Sequence, residues 1–382
     1  MATRTVARRW ERGKIEFLAQ TCRSRSMRAP IAYHPDIEKG STDEGATHEQ
    51  LRRTFRRIIT ATHRDIGTAS RGVHAKSHAL LEGTLHVAAN LPPELAQGFF
   101  ATPGAYRLTA RLSAIPGDPL RDAVSGPRGF ALKIHDVLGP LLEDNKGVAV
   151  QDFLFANGAV FGAPDARGFL KNLRVLALTT DRAGGAKAWL SRTLRLMQRL
   201  LTRFARPSAT LAALGGFTPT HPLGDRFYSQ VPVRFGDYVA KLDLVPESES
   251  FRRLTGRLID IDHDPVAIRR AIRRVMAQEG GRFSLRAQLC RDEQRQPVEN
   301  AATEWSEALS PFHTVATLEF PPQDSWNEAR SYQIDECLSF SPWHGLEAHR
   351  PLGNIMRARR AAYPFSAGLR SRLNGCPMKL LP

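Results

Sequence analysis

Hydrophobic and polar residues alternate in several short stretches through the middle of the chain. In Tyr106–Ser113 the apolar side chains at even-numbered positions would lie on one face of a strand, and Arg111 and Ser113 would share the other face. These two polar residues can therefore face one site. Similar or β-prone runs predict further strands at Leu85–Ala89, Gly129–His135, Phe153–Ala156, Phe227–Val245, Phe283–Cys290 and Val315–Phe320.

Apolar residues at three- and four-residue spacings predict helices around these strands. Leu51, Phe55, Ile58 and Ile59 follow this spacing and predict a helix over Glu49–Ile66, after which a strand is expected to open at Arg71. The other predicted helices are Asp165–Leu178, Lys187–Phe204 and Val266–Gln278. Residues 1–45 show no sustained periodicity, so we expect an N-terminal arm outside the core, followed by one domain over 46–382.

The composition is that of a globular protein, since 42% of the 382 residues are hydrophobic. No run approaches the ~18 apolar residues that would span a bilayer, and the N-terminus lacks the apolar segment of a signal peptide. We therefore expect a soluble, cytoplasmic protein. No Cys-x-x-Cys pair suggests a metal site, and four scattered cysteines are expected to be reduced thiols without a role: Cys22, Cys290, Cys337 and Cys376.

The formal net charge of +16 favours anionic partners through long-range electrostatic fields. The arginines concentrate in three segments with helical apolar spacing, 52–57, 192–206 and 268–274, which is typical of solvated helix faces. Few aromatic residues lie among these arginines, so no specific nucleic-acid partner is expected. Lys187–Arg206 also fits a helix that associates weakly with an anionic membrane surface, although a helix covering the domain explains it better.

Two motifs far apart in the chain carry the strongest chemical signal: Arg71-Gly-Val-His74-Ala-Lys-Ser77 and Arg359-Arg-Ala-Ala-Tyr363-Pro. Arg359 precedes Tyr363 by four residues, so on a helix both side chains share one face. A guanidinium that stays charged favours the anionic form of a neighbouring phenol, and a phenolate can bind ferric iron. Either motif alone could be structural, with a capping histidine or a buried tyrosine bonded to an arginine. Their occurrence together favours a site.

Four motifs in the family's own order make the chain resemble the haem-dependent catalase family. They are Arg71–Ser77, which matches Arg-x-x-His-Ala-Lys-Gly except for the final residue, Arg111-Leu-Ser113 for Arg-Phe-Ser, an intact Pro127-Arg-Gly-Phe-Ala131, and Tyr363-Pro leading to Arg370. Three further runs are similar to a group of shorter catalase-like haem proteins: Phe227–Lys241, Ser310–Ala316 and Leu338–His344.

The resemblance implies an α+β fold, with an eight-stranded antiparallel β-barrel surrounded by helices, and haem b as cofactor. It further implies a role for each matching residue. His74 would stand over the iron with support from Ser113, Tyr363 held by Arg359 would be the iron ligand, Phe153 and Phe155 would line the channel, and Arg71, Arg111 and Arg370 would bind the propionates. Catalases commonly form homo-oligomers, and for this shorter chain both a homo-oligomer and a monomer agree with the resemblance.

The sequence departs from the family at the asparagine of an Asn-Thr-Pro run before a Phe-Phe pair. The corresponding stretch reads Gly147–Phe155, in which Gln151 is the expected replacement for the catalytic amide. Efficient dismutation of hydrogen peroxide is therefore not expected. Three functions agree with these residues: a peroxidase or weak catalase with a role in oxidative stress, an enzyme that rearranges hydroperoxides, and a non-enzymatic haem-binding protein with a basic interaction surface.

Overall fold

A closed antiparallel sheet organises the chain. The computed structural model describes residues 28–115, 117, 119–179, 191, 193 and 217–380. Within these residues the strands are β1 Ser77–Val87, β2 Ala105–Ala114, β3 Arg128–His135, β4 Val150–Ala156, β5 Phe227–Tyr228, β6 Val233–Phe235, β7 Tyr238–Pro246, β8 Gly281–Leu289 and β9 His313–Phe320.

Strand β5 closes the sheet into a barrel. The order runs β4, β3, β2, β1, β9, β8, β7, and each neighbouring pair is antiparallel. Tyr228 of β5 pairs with Ala156 of β4, and Phe227 pairs with Leu244 of β7. Strand β6 pairs with the first three residues of β7 and is not one of the strands that close the barrel. The predicted eight-stranded antiparallel barrel is confirmed.

The barrel interior is filled by alternate residues of the strands. Leu108, Ala110 and Leu112 of β2 belong to the interior cluster, which leaves Arg111 and Ser113 on the outer face, as predicted. Burial of one large apolar side chain contributes roughly 1.5–3 kcal/mol, so this cluster is the main source of stability.

Six described helices accompany the barrel: α1 Glu44–Ile66, α2 Ala166–Thr179, α3 Glu249–Arg252, α4 Ala267–Gln278, α5 Glu328–Ser331 and α6 Asn354–Asn374. Helix α5 continues into a wide, π-helical segment, Tyr332–Cys337. Apolar residues of α1, α2 and α6 pack into one cluster, which includes Phe55, Leu170 and Ala362. This three-helix layer lies against the outer face of the barrel at the end where β2 and β3 present Ser113 and Gly129.

The predicted helices are found with shifted ends. Helix α1 begins five residues before the predicted Glu49 and ends at the predicted Ile66, followed by Gly67, whose positive φ of 74° suits glycine. The strand expected at Arg71 begins only at Ser77, because the backbone at His74 has a φ of 58° and cannot continue a strand. The predicted helix Lys187–Phe204 lies outside the described residues, apart from residues 191 and 193.

The described part of the N-terminal arm packs on the barrel. The amide of Ile31 donates to the carbonyl of Cys290 at 2.7 Å, and Ile37 is buried beside Val239 and Trp305. At least Ile37 therefore belongs to the core, contrary to the prediction for the arm. The domain boundary at residue 45 stays a prediction.

The cysteine prediction is corrected for one pair. Cys337 and Cys376 form a disulfide across 39 residues of sequence, because the π-helical segment ends beside the turn that follows α6. Cys290 is free, and burial raises the pKa of its thiol to about 11. No described helix has the length and apolar character needed to cross a membrane.

Candidate functional site

A large cavity lies between the outer face of the barrel and the helix layer. Its open space measures about 990 Å³. The barrel side carries Ser113, Gly129 and the loop that holds His74, and the helix side carries Phe55 of α1 and Tyr363 of α6. Two distant sequence motifs therefore meet in one cavity.

His74 is held on the barrel side by its backbone and by its ring. Its N–H donates to the carbonyl of Ile115 at 2.7 Å, and its carbonyl accepts from Nη2 of Arg111 at 2.8 Å. The ring Nδ1 lies 3.2 Å from Oγ of Ser113. Removal from water, followed by the charges of nearby arginines, lowers the pKa of His74 to about 3, so the imidazole is neutral at pH 7. A left-handed backbone at a residue other than glycine is uncommon and is often found at functional sites.

Tyr363 is bonded to the guanidinium predicted from the sequence. Nη2 of Arg359 donates to the Tyr363 hydroxyl at 2.6 Å, and the guanidinium carbon lies 5.1 Å from the ring centre. Both residues line the cavity from α6. The Tyr363 hydroxyl therefore lies beside a cation within the cavity.

Three arginines meet at one end of the cavity. Arg71, Arg111 and Arg370 come from the His74 loop, β2 and α6 and line the cavity together. Burial lowers the pKa of Arg370 to about 10 and lowers that of Arg71 well below its ordinary value, because the charged forms lose water. All three arginines contact Asp335, Arg71 and Arg111 through its carboxylate and Arg370 through its backbone carbonyl. Three cations and one anion leave two positive charges.

Comparison with solved structures decides the fold family. A fungal catalase superposes with a TM-score of 0.59 at 16% identity, over 83% of this chain and 64% of that one. Catalase A from Saccharomyces cerevisiae gives 0.58 at 14% identity, over 81% of this chain and 63% of that one. The chain has the catalase fold. It spans less than two thirds of the length of these catalases. No protein-family model matches the chain, and no curated protein matches it.

The catalase fold places Gln151 away from the cavity, so its prediction as a catalytic residue is wrong. Strand β4 sets Gln151 opposite Ile134, on the face that fills the barrel. Its amide donates to the carbonyl of Asp152 at 3.0 Å and accepts from the amide of Leu346 at 2.9 Å. Alternation along β4 gives Leu154 and Ala156 to the cavity instead.

The two phenylalanines predicted for the channel differ in position. Phe155 borders the cavity, whereas Phe153 is absent from its lining. Phe153 packs inside the barrel against Phe99 and His349, with ring centres 6.3 and 5.9 Å away. The prediction for Phe153 is therefore wrong, because only the last three residues of β4, from Leu154 to Ala156, reach the cavity.

Two amides near the cavity were missed in the sequence. Asn157 follows β4, but its side chain is taken by the amide of Arg128 at 2.7 Å and by Asp225 at 3.0 Å. Gln230 lines the cavity with a φ of 62°, and its Nε2 donates to the carbonyls of Gly158 and Val160. The run Asn157-Gly-Ala-Val-Phe161 could have indicated the first, since an asparagine there precedes a phenylalanine of the cavity wall.

Proposed function

We propose that this chain is a haem protein that acts on peroxides, as a peroxidase or a weak catalase. One observation carries the proposal. A single cavity brings together a neutral imidazole, a phenol bonded to a guanidinium, and two uncompensated positive charges. The catalase fold supports it, because the same fold is found in the two solved catalases.

The residues fit haem b in charge and in ligand. Arg71, Arg111 and Arg370 would hold its two propionates in charge-assisted hydrogen bonds. Tyr363 would supply the oxygen ligand to the iron. Bound haem would supply the iron chemistry that breaks a peroxide bond.

His74 would move the proton in this reaction. Since the imidazole is neutral at pH 7, its Nε2 can accept a proton from the bound peroxide and return it to the departing oxygen. This role requires the ring hydrogen on Nδ1, where it can be donated to Ser113 Oγ. Ser113 would thereby fix the tautomer, and Arg359 would hold the hydroxyl of Tyr363 in place.

Organic hydroperoxides are favoured over hydrogen peroxide as substrates. Apolar side chains cover much of the wall, among them Phe55, Val73 and Phe161, and the amide of Asn157 is bonded outside the cavity. The same observation favours a second candidate function, the rearrangement of an organic hydroperoxide without net reduction. The two functions differ in product, an alcohol in one case and an isomer of the hydroperoxide in the other.

Adding hemin to the purified protein and to Tyr363→Phe tests the proposal. We expect a stoichiometric Soret band in the wild type whose position and intensity depend on Tyr363. Hydrogen peroxide and a lipid hydroperoxide are then added separately, with product analysis. Haem that binds without consuming either peroxide would favour the non-enzymatic alternative, and failure to bind hemin would refute the proposal.

A further inference from the structure

One aspartate contacts all three arginines of the cavity: the carboxylate of Asp335 pairs with Arg71 and Arg111, and its backbone carbonyl accepts from Arg370. We propose that Asp335 sets the charge of this end of the site, so that the site selects a porphyrin with two carboxylates. Asp335 is a positioning residue, since it acts through the arginines rather than on the ligand. That the ligand is a porphyrin rests on the proposed function. The number of positive charges left on the arginines by Asp335 does not depend on that function.

The hydrogen bonds of Asp335 hold the arginines in place. Its Oδ1 accepts from Nε of Arg111 at 2.5 Å and lies 3.3 Å from Nη1 of Arg71. Its backbone carbonyl accepts from Arg71 at 2.6 Å and from Arg370 at 3.0 Å. The carbonyl is available because Asp335 lies in the π-helical segment Tyr332–Cys337, a geometry that often occurs at functional sites.

Ser77 fixes the other oxygen of this carboxylate. Its hydroxyl donates to Oδ2 of Asp335 and accepts from the indole N–H of Trp326 at 3.1 Å. Ser331 donates to the same oxygen at 3.1 Å. Ser77 stands where the catalase motif has glycine, and a glycine could not form this bond. Ser77, which departs from the motif, therefore occurs together with Asp335, whose carboxylate it binds.

The remaining charge is not balanced by another described residue. Arg111 and Arg370 are 3% and 4% exposed, and among the described residues the only ion pairs of Arg71 and Arg111 are those with Asp335. Arg370 forms no ion pair within the described part of the chain, and its buried Nε has no hydrogen-bond partner. Glu336 acts on Arg370 through space without an ion pair. Buried cations require anionic partners, so two carboxylates would complete the site.

Arg71 and Arg370 also border a second, polar cavity that holds Asp335 and Glu336. The arginines therefore stand between the main cavity and this one, with Asp335 behind them. A ligand carboxylate would approach from the main cavity, on the side opposite Asp335. Removal of the aspartate charge should consequently strengthen the attraction for such carboxylates without removing their partners.

The test compares hemin with hemin dimethyl ester, whose propionates carry no charge. Both are titrated into the full-length wild type and Asp335→Asn, with the Soret band and tryptophan fluorescence as readouts. The asparagine keeps an acceptor oxygen for Arg111 but leaves a third cation uncompensated. We expect the preference for hemin over the ester to rise about tenfold, while the thermal stability of the haem-free protein falls.

A matched control and a compensating variant complete the test. Asp243 is also fully buried between two arginines, Arg226 and Arg286, each 2.6 Å away, and it lies outside the cavity. Asp243→Asn should lower stability and leave the preference unchanged. The double variant Asp335→Asn, Arg370→Gln restores two positive charges, so it should return the preference to the wild-type value even where the single variant folds poorly.

The outcomes separate the two proposals. Equal preferences in the wild type, Asp335→Asn and the double variant would overturn the role of Asp335 while leaving haem binding intact. A wild type that binds neither compound would overturn the proposed function, and the selection of a porphyrin with it.

Discussion

A Cβ atom on residue 129 would lie 2.5 Å from Cε1 of His74, so the glycine allows β3 to pass directly beside the imidazole. The same Cβ would lie 3.2 Å from Oγ of Ser113. Strand β3 cannot move away, because it pairs with both β2 and β4. Gly129 therefore fixes the space in which the histidine and its hydroxyl partner meet.

Gly129→Ala should displace His74 while sparing Tyr363 on α6, the proposed iron ligand. We expect hemin to bind with an unchanged Soret band and peroxide consumption to fall about 100-fold, the usual contribution of a proton-transferring side chain. Stopped-flow measurement of peroxide consumption checks this. Gly126→Ala is the control, since a Cβ there meets nothing within 4 Å. An unchanged rate in Gly129→Ala would exclude His74 from the chemistry.

Arg359→Leu should weaken hemin binding through Tyr363, because the hydroxyl loses the donor that holds it at 2.6 Å. We expect hemin affinity to fall about 10- to 100-fold, as is usual when a partner of a metal ligand is lost. Titration by absorbance measures this. The neighbouring Arg360 bonds to Asp144 at the surface, so Arg360→Leu should leave the affinity within twofold of the wild type, roughly the limit of such titrations.

Acid should destabilise the protein partly through His349. This side chain is 1% exposed among Phe99, Phe100 and Phe235, and burial lowers its pKa from 6.5 to about 3. Between these values the unfolded chain binds a proton that the folded chain does not, so stability falls as pH falls from 6.5 toward 3.

Urea unfolding at pH 7 and pH 5 measures the contribution of His349. The glutamine of His349→Gln cannot titrate. Between these pH values the free energy of unfolding of this variant should therefore fall by about 2 kcal/mol less than that of the wild type. His313→Gln offers a comparison at a histidine on β9. Equal losses in the wild type and His349→Gln would show that His349 does not remain neutral in the folded protein.

Reduction of the Cys337–Cys376 disulfide should lower the free energy of unfolding by about 4 kcal/mol. The bond closes a loop across 39 residues, and its loss increases the conformational freedom of the unfolded chain. Urea unfolding with and without dithiothreitol measures the effect. Cys376→Ser should be as unstable as the reduced wild type and insensitive to the reagent. A wild type that is equally insensitive would contradict the expected contribution.

Much of the fold could be predicted from the sequence, because its strands and helices follow regular spacings of apolar and polar residues. The two faces of β2 and the apolar spacing of α1 depend on local periodicity, and both are found as predicted. The motif residues His74 and Tyr363 meet in one cavity, although periodicity could not bring them together. Their pairing followed from the resemblance.

The wrong predictions for Gln151 and Phe153 concern a strand whose two faces are both buried. Both faces of β4 are covered, so burial and composition could not tell that Gln151 and Phe153 fill the barrel. Asp335 was missed for another reason. It lies in a π-helical segment, whose side chains do not follow the spacing of a regular helix, and its partners are 224 and 264 residues away. The partners of Cys337 and Cys376 were likewise beyond local sequence information.

The two sides of the cavity come from opposite ends of the described chain. Ala69, just before the His74 loop, exchanges hydrogen bonds of 2.7 and 3.0 Å with Asn374, the last residue of α6. Strand β1 also cannot pair with β9 until β9 has been translated. At synthesis rates of about 5–20 residues per second, the His74 loop leaves the ribosome roughly 15–60 s before Tyr363. A cofactor could therefore be captured only after Tyr363 has been translated, and a product truncated before α6 would carry half of the site without the ability to load it.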